Sequence, residues 1–569
     1  MRSLLGHKRW SLKAPAEPAE GRRTEASVLE RLLALRANGG TSRLSEQISF
    51  YPPSELDHID VAVARLVRAL ERQEAVFVHG DFDVDGITST ALFYLGLKAL
   101  GLQRVKVEIE DRQRGHGLNE AIVRRLINEK FSLLVTTDCG ISDVEAVGAL
   151  DAAGVDTIVT DHHQPPDALP QALALVNPKL PGNRYPNKEL AGVGVAFQLL
   201  RALYEALGRD PEEALRFLDL VTLGTVADLV PLVQGSEVEN HKLVRAGLKQ
   251  MASGQGNLGL RTLMQQLGLD LSKPSAGQLS FSVAPHLNAA NRVGDPRVAL
   301  LLLTTQNVGL AEYLSETLVA YNMDRKRSQS RLNAQVDGAI EAGQIDLGQE
   351  RLVWLEGRAW NPGILGLVAS YVVDHYGLPA VLISKEGALG RASARSVRGF
   401  NMMDCLKCCQ DVFTRYGGHT MAAGFTIRTK DLDRARRAVL GYAKQHNGSK
   451  ETSVRDIDTE LHPEQITLEL YRELQRMAPF GTGNPQPKFL LSRVQLKGLK
   501  TVGGGKHLKC FAEANGCTFE TIGFSMGRYV EQLADRDEVS LVFKVERNEW
   551  MGRIKVQLEL ADVVEPETC

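Results

Sequence analysis

The sequence predicts an α/β protein in which a parallel sheet covered by helices leads, through a long helix, into a second α/β domain and then a small all-β module. Three observations predict this order. Between Glu74 and about Leu180, short apolar runs alternate with helical patterns. From Leu310 onward, Leu310, Leu314 and Leu318, then Leu332, Val336 and Ile340, recur at helical spacing. Past Pro487, about five short strand-like runs follow one another, which reads as a barrel or a sandwich.

Taken in order, residues 1–70 are mostly polar, with one helical segment near Ala26–Ala37. The strand-like runs AVFVH, VKVEI, SLLVTT and DTIVT then enclose helical patterns at Ala121–Glu129 and Asp143–Ala153. In such sheets ligands collect at the carboxyl ends of the strands. His79 to Asp85, Asp138, and Asp161 with His162 and His163 all fall there. A mostly helical stretch runs from Gly192 to about Ala342 and carries the basic cluster Arg325, Lys326, Arg327 and Arg331, which reads equally as a solvated face or a phosphate-tracking surface. Runs at Leu352–Leu355 and Ala380–Ile383, with a Gly-rich segment at Arg415–Ile427, make the second α/β domain. A polar stretch at Gln445–Ser453 and a Pro/Gly hinge at Pro479–Pro487 precede the C-terminal strands. The expected division is 1–70, 71–310, 311–345 for the connecting helix, 346–450 and 455–569.

Composition narrows the class. With 569 residues the chain has room for about four domains. Its 43% hydrophobic and 24% charged residues are those of an ordinary globular protein. There is no run of 18 apolar residues and no continuous apolar core in the basic N-terminus, so a cytoplasmic protein without a membrane span is expected. The net charge of −2 neither demands nor forbids nucleic acid, because distribution counts for more than the sum. Among seven cysteines, Cys405, Cys408 and Cys409 cluster, and without further ligand pairs they read as small buried thiols.

The chemistry concentrates in VFVHGDFDVDGIT, Val76 to Thr88. Read as an extended segment, it points Asp81, Asp83 and Asp85 the same way, with His79 on that side. Carboxylates so close repel one another unless a cation lies between them, which favours a metal site over a solvated acidic turn. Gly86 is expected to turn the chain sharply into a helix over Ile87–Leu100. Asp83, Asp85, Asp138, His162 and Asp228, with His79, offer oxygen and imidazole ligands suited to two ions, Mn²⁺ or Mg²⁺, sharing one carboxylate. Such a pair serves in-line phosphoryl displacement.

HGDFDVDG, TTDCG, TDHH and GTVADLVPL, in that order, resemble the four motifs of the DHH phosphoesterase superfamily. SARS, GGHTMAAGF and PFGTGNPQP extend the resemblance, from about Glu74 to Val564, to its RecJ family of bacterial single-strand-specific 5′→3′ DNA exonucleases. The resemblance implies a DHH domain joined by the long helix to a substrate-binding DHHA1 domain and an appended OB-type β-barrel. It implies one ion on His79, Asp83 and Asp138 and a second on Asp85, Asp138, His162 and Asp228. Asp81 and Asp161 would orient those ligands, and His163 would face the scissile phosphate. It further implies a monomer acting in DNA recombination and repair, threading single-stranded DNA between the two α/β domains and releasing 5′-mononucleotides, with single-strand-binding protein and a helicase as partners.

In the second domain the resemblance brings Ser393, Arg395, Ser396, Gly417, Gly418 and His419 to the substrate, with Arg292 from the helical stretch. Glycine lets a backbone approach an anion, and arginine offers a fork of donors. Four positions depart from the family pattern: Ala394 for glycine, His286 for arginine, Asn291 for glycine and Asn361 for histidine. They imply a weakened or redirected grip on phosphate with hydrolysis retained. For an OB groove, Lys497, Lys500, Lys506 and Lys509 with Phe511 and Trp550 are the candidates. The competing readings are a superfamily phosphodiesterase on short oligonucleotides, cyclic dinucleotides or pyrophosphate, and a non-catalytic replication or repair scaffold. The C-terminal module argues against the first and the complete ligand set against the second.

Overall fold

The computed structural model describes residues 1, 3–5, 9–14, 27–36, 49–110, 117–347, 349–446, 454–550 and 552–565, with the Trp550 side chain outside them. The chain forms two compact units, Tyr51–Val230 with Ala246–Lys450, and Met1–Phe50 with Pro231–Arg245 and Glu451–Cys569.

The larger unit holds a five-stranded parallel sheet in the order Val105–Ile109, Val76–Gly80, Leu133–Thr137, Asp156–Thr160, Ala174–Val176. Every residue of Val76–Gly80 and Leu133–Thr137 is buried, which is why neither alternates apolar with charged residues. The fifth strand is three residues long, too short to show a period. The helix after the first motif begins at Val84, with Asp83 as its N-cap, so the expected sharp turn at Gly86 does not occur. Gly86 is needed for space instead, since a Cβ there would lie 2.3 Å from the Asp81 carbonyl oxygen. This helix, Val84–Ala99, is buried on nearly all sides beneath Gly192–Ala206 and Leu218–Ala227.

One helix, Val308–Glu341, leads into the second domain of this unit, its N-terminus capped by Asn307 Oδ1, which accepts from Leu310 N at 2.9 Å. There the sheet runs Phe413–Gly418, Ala422–Arg428, Leu389–Arg395, Ala380–Glu386, Val353–Arg358, and only the last two strands are parallel. Cys405 and Cys409 are buried against it as expected, but Cys408, the C-cap of the short helix Met402–Lys407, is exposed.

In the smaller unit, Phe489–Val502, His507–Ala514, Cys517–Gly523, Arg553–Val564 and Val539–Trp550 pair in that order, and the last closes back on the first. The C-terminal module is therefore a barrel, not a sandwich. The N-terminus belongs to it: Arg9–Leu12 pairs with Val454–Ile457, and Trp10 Nε1 and Ser3 Oγ each donate at 2.8 Å to the buried Asp562 carboxylate. The N-terminal helix spans Val28–Leu35, and the outer limits expected for it, Ala26 and Ala37, lie outside the described residues, as do 447–453 of the polar stretch. The expected hinge at Pro479–Pro487 is a pinned turn. Asn484, fully buried, donates to Met477 O at 2.8 Å and Pro479 O at 2.9 Å, and Leu232 N donates to Thr482 O at 2.8 Å.

Candidate metal centre

At the carboxyl ends of the parallel strands, His162 Nε2 lies 3.1 Å from Asp138 Oδ1, 3.6 Å from Asp228 Oδ2 and 3.9 Å from Asp85 Oδ2. Three overlapping groups of ligand atoms, each mutually within 4.8 Å, meet here: Asp85 with His162 and Asp228, Asp138 with His162 and His163, and Asp81 with Asp83 and Asp138. Asp138 belongs to the last two, and His162 links it to the first, so Asp138 stands between the Asp81–Asp83 and Asp85–Asp228 pairs.

Local structure places each carboxylate. Asp138 follows its strand with a left-handed φ of 61°, a conformation aspartate tolerates better than most residues. Gly192 makes room for it, since a Cβ there would fall 2.5 Å from Asp138 Oδ1. Asp83 Oδ1 caps its helix by accepting from Gly86 N at 3.1 Å. Asp85 accepts from Gly192 N at 2.7 Å and Val193 N at 2.9 Å, at the N-terminus of Gly192–Ala206, where the helix dipole favours a negative charge. Asp228 ends the helix Leu218–Ala227. Within that helix, Gly224 permits close approach, because a Cβ there would lie 2.8 Å from Asp85 Oδ1.

The electrostatics call for cations. Burial and then mutual repulsion push Asp85 and Asp138 well above the usual carboxylate range, Asp83 up to about 6 and Asp228 up to about 7. Burial, reinforced by the charge of His163, takes His162 down to about 3, so its ring is neutral and able to ligate. Asp138 Oδ1 and His162 Nδ1 are buried and make no hydrogen bond. A buried oxygen without a donor, among acids that resist ionising alone, fits a divalent ion.

Two residues group otherwise than expected. His79 does not share a group with Asp83 and Asp138; it lies with Glu110 and Cys139, its Nε2 being 4.0 Å from Glu110 Oε1. Asp81, expected behind the ligands, joins Asp83 and Asp138. The physical reason is the helix start at Val84, which breaks the extended alternation on which the expectation rested. Asp161 accepts from Ile141 N at 3.0 Å, His162 N at 2.7 Å and His163 N at 3.0 Å. His163 Nδ1 is 2.7 Å from Asp161 Oδ1, and its side chain is 54% exposed. Burial pulls the His163 pKa down, but the Asp161 hydrogen bond and charge outweigh it and raise it to about 9.

In the second domain, strand alternation separates the expected substrate residues. Ser393 and Arg395 share one face, while Ala394 and Ser396 face the other way. The Ala394 methyl is fully buried in the core with Trp354 and Val381, and Ser396 Oγ donates to Phe400 O at 2.6 Å, so neither is free to meet a strand of DNA. Register aligns Ser393, Gly424 and Gly417 across three strands, with Gly418 (φ 144°) and the exposed His419 at the hairpin end. The other departures have local roles. Asn361 caps Pro362–Tyr376 by accepting from Gly363 N at 2.8 Å and donates to Arg292 O at 3.1 Å. Arg292 in turn donates to Gly363 O at 2.9 Å. His286 Nδ1 bonds Ser282 O and its Nε2 meets Asn322, which also holds Arg325. Asn291 Nδ2 reaches the Phe82 carbonyl at 3.4 Å, between two of the clustered aspartates.

On the barrel, Phe511 is exposed and, with Lys500, Lys509 and Glu520, lines a cavity of about 410 Å³. Lys497 pairs with Glu513 and Lys506 is exposed. Sequence reasoning missed Gly192 and Glu110. The GVGV run opening a helix was a readable signal for the first; the second carries none.

Family models match in three places: the DHH family N-terminal domain at residues 75–225, the DHHA1 domain at 349–445 and the RecJ OB domain at 457–562. The chain is 33% identical over 578 residues to the single-stranded-DNA-specific exonuclease RecJ of Bacillus subtilis, covering 99% of this chain and 72% of that one. It is also similar to Thermus thermophilus RecJ. The Mn²⁺ complex superposes with TM-score 0.82 at 29% identity, covering 98% of this chain and 80% of that one. For the Mg²⁺ complex the values are 0.75 and 27%, covering 98% and 79%.

Proposed function

The chain belongs to the RecJ family of single-stranded-DNA-specific exonucleases, and from that premise we propose how its own residues carry out phosphodiester hydrolysis with divalent cations, Mn²⁺ or Mg²⁺. Asp138, set between the Asp81–Asp83 and Asp85–Asp228 pairs, carries the reading. Asp81, Asp83 and Asp138 hold one cation, and Asp85, Asp138, His162 and Asp228 hold the other. Bound there, the cations supply a nucleophile at neutral pH and neutralise charge at the phosphate.

The protein's own groups do the rest. Gly192 N and Val193 N keep the Asp85 carboxylate aimed, so that little is reorganised during reaction. His163, kept protonated by Asp161, donates toward the phosphate oxygen as charge develops. Ser393 and Arg395, with the Gly417–Gly418 backbone and Arg292, hold the neighbouring phosphate, and the exposed Phe511 stacks a base while Lys500 and Lys509 beside it track the backbone. On this reading the division into domains at about 71–310, 346–450 and 455–569 separates chemistry, phosphate grip and strand binding. Attack proceeds from the 5′ end and releases 5′-mononucleotides from a monomer acting in DNA recombination and repair, with single-strand-binding protein and a helicase as partners. Among the described residues no helix is long and apolar enough to cross a membrane.

Digestion of single and double strands labelled at either end, with Mn²⁺, tests the reading. Release of labelled mononucleotide from 5′-labelled single strands is expected. Absence of nucleotide release by metal-loaded protein overturns it, and release starting at the 3′ end overturns the polarity.

A further inference from the structure

We propose that His79, Glu110 and Cys139 form a separate cation site beside the catalytic pair, one that takes Zn²⁺ in preference to Mn²⁺. The three residues come from the carboxyl ends of three adjacent strands, Val105–Ile109, Val76–Gly80 and Leu133–Thr137. Their ligand atoms lie within 4.8 Å of one another, and all three side chains are buried. His79 supplies the second observation. Its ring is wholly shielded from solvent, and neither ring nitrogen makes a hydrogen bond. An imidazole removed from water without a partner is costly, and a cation among these three atoms would satisfy it.

The donor set decides which cation. One sulfur, one imidazole nitrogen and one carboxylate oxygen suit a borderline ion such as Zn²⁺, whereas Mn²⁺ prefers the oxygen-rich groups next door. The surroundings hold the ligands in place. Gly117 N donates to Glu110 Oε1 at 2.6 Å, Thr136 Oγ1 donates to the Cys139 carbonyl at 2.8 Å, and Cys139 Sγ sits 3.8 Å from His79 O. Burial keeps the thiol protonated, so binding forms the sulfur–zinc bond and releases that one proton to solvent. Because Cys139 follows Asp138 directly, an ion here fixes the backbone on which the shared carboxylate rides. The inference stands on this geometry and does not require the nuclease reading.

Cobalt(II), titrated into the metal-free full chain, is the probe, since sulfur ligation gives a near-ultraviolet charge-transfer band that oxygen and imidazole ligation do not. One equivalent with that band is expected, lost in Cys139→Ala and at least tenfold weaker in His79→Ala. It should persist in Cys408→Ala, and in Asp228→Asn, where the catalytic pair is impaired. No band in the unaltered chain, or an undiminished band in Cys139→Ala, overturns the site. Should Cys139→Ala not fold, anomalous scattering at the zinc edge from Zn²⁺-soaked crystals of the unaltered chain decides. A peak at about 2.3 Å from Cys139 sulfur supports the site, and peaks confined to the aspartate cluster overturn it.

Discussion

Asp138 Oδ1 faces His162 Nε2 at 3.1 Å and makes no hydrogen bond of its own. A carboxylate buried this deeply is held by whatever cation it shares, so Asp138→Asn should weaken both ions at once. We expect exonuclease activity on single strands to fall by roughly 10³-fold, equivalent to about 4 kcal/mol of lost transition-state stabilisation. Asp228→Asn should weaken one cation and leave the other. Mn²⁺ stoichiometry by electron paramagnetic resonance, alongside kcat, separates the two outcomes, and full occupancy in Asp138→Asn would be incompatible with a shared ligand.

Protons compete with the cations. Asp83 and Asp228 are raised from the ordinary carboxylate value to about 6 and about 7, in each case first by burial and then by neighbouring carboxylates. In the metal-free protein a raised acid contributes stability below its unfolded pKa and loses it as pH rises through the folded one. The metal-free fold should therefore weaken progressively from about pH 4 to about pH 7 and level off above, while Mn²⁺ affinity rises up to the same limit. Thermal unfolding with and without Mn²⁺ should show a larger Mn²⁺-induced rise in Tm at pH 8 than at pH 6. Calorimetry in buffers of different ionisation enthalpy should register proton release at pH 6 that declines toward pH 8.

Asp161→Asn isolates the role of His163. The Asp161 carboxylate, 2.7 Å from His163 Nδ1, outweighs burial and keeps the imidazolium stable to about pH 9. With a neutral amide in its place, His163 should titrate near its ordinary value, so the alkaline limb of kcat/KM should move down by about two pH units toward 7. Activity at pH 8 should drop about 10- to 100-fold. Unchanged pH dependence would place His163 outside the reaction.

Ala394 tests whether a departure from the family pattern weakens the phosphate grip. Its methyl is fully buried in the core of the second domain, on the face opposite Ser393 and Arg395. Ala394→Gly should cost about 0.5–1 kcal/mol of stability, because glycine in a strand loses more conformational freedom and packs less. KM for single-stranded DNA should stay as it was, whereas Arg395→Ala should raise KM about tenfold or more. A large change in KM for Ala394→Gly would restore the reading in which this position touches substrate.

How much could be read in advance follows from how locally each feature is encoded. Four strands of the catalytic sheet were legible as short runs rich in β-branched and apolar residues, two of them, Val76–Gly80 and Leu133–Thr137, buried throughout. Asp83, Asp85, Asp138, His162 and Asp228 were legible because strand ends in a parallel sheet collect ligands. The grouping of Asp81 rather than His79 with Asp83 and Asp138 was not, since it depends on a helix starting two residues before Gly86, with Asp83 as its cap. Glu110 had no motif to announce it. The alternation from Ser393 to Ser396 was present in the sequence, and reading it at period two would have turned Ala394 and Ser396 to the core.

The N-terminus shows the same limit at its greatest sequence separation, and it yields the last prediction. Nothing local in Ser3 or Trp10 points 559 or 552 residues ahead, yet Trp10 Nε1 and Ser3 Oγ both donate to Asp562 at 2.8 Å. The carboxylate is buried, and the backbone N–H of Val563 donates to its Oδ1 as well, at 2.9 Å. Trp10 packs against Ile457, Leu490, Val542 and Val564, so Ser3 and Arg9–Leu12 complete the barrel unit. Trp10→Phe keeps most of that apolar contact but leaves Asp562 Oδ2 without its indole donor. A buried acceptor attached to a charged group, left unpaired, costs about 2–3 kcal/mol. The barrel unit should unfold at correspondingly lower denaturant in Trp10→Phe, and Trp10→Phe with Asp562→Asn should cost less than the two single changes summed. Equilibrium denaturation of the four proteins tests this, and strict additivity would mean that the two side chains do not act as a pair.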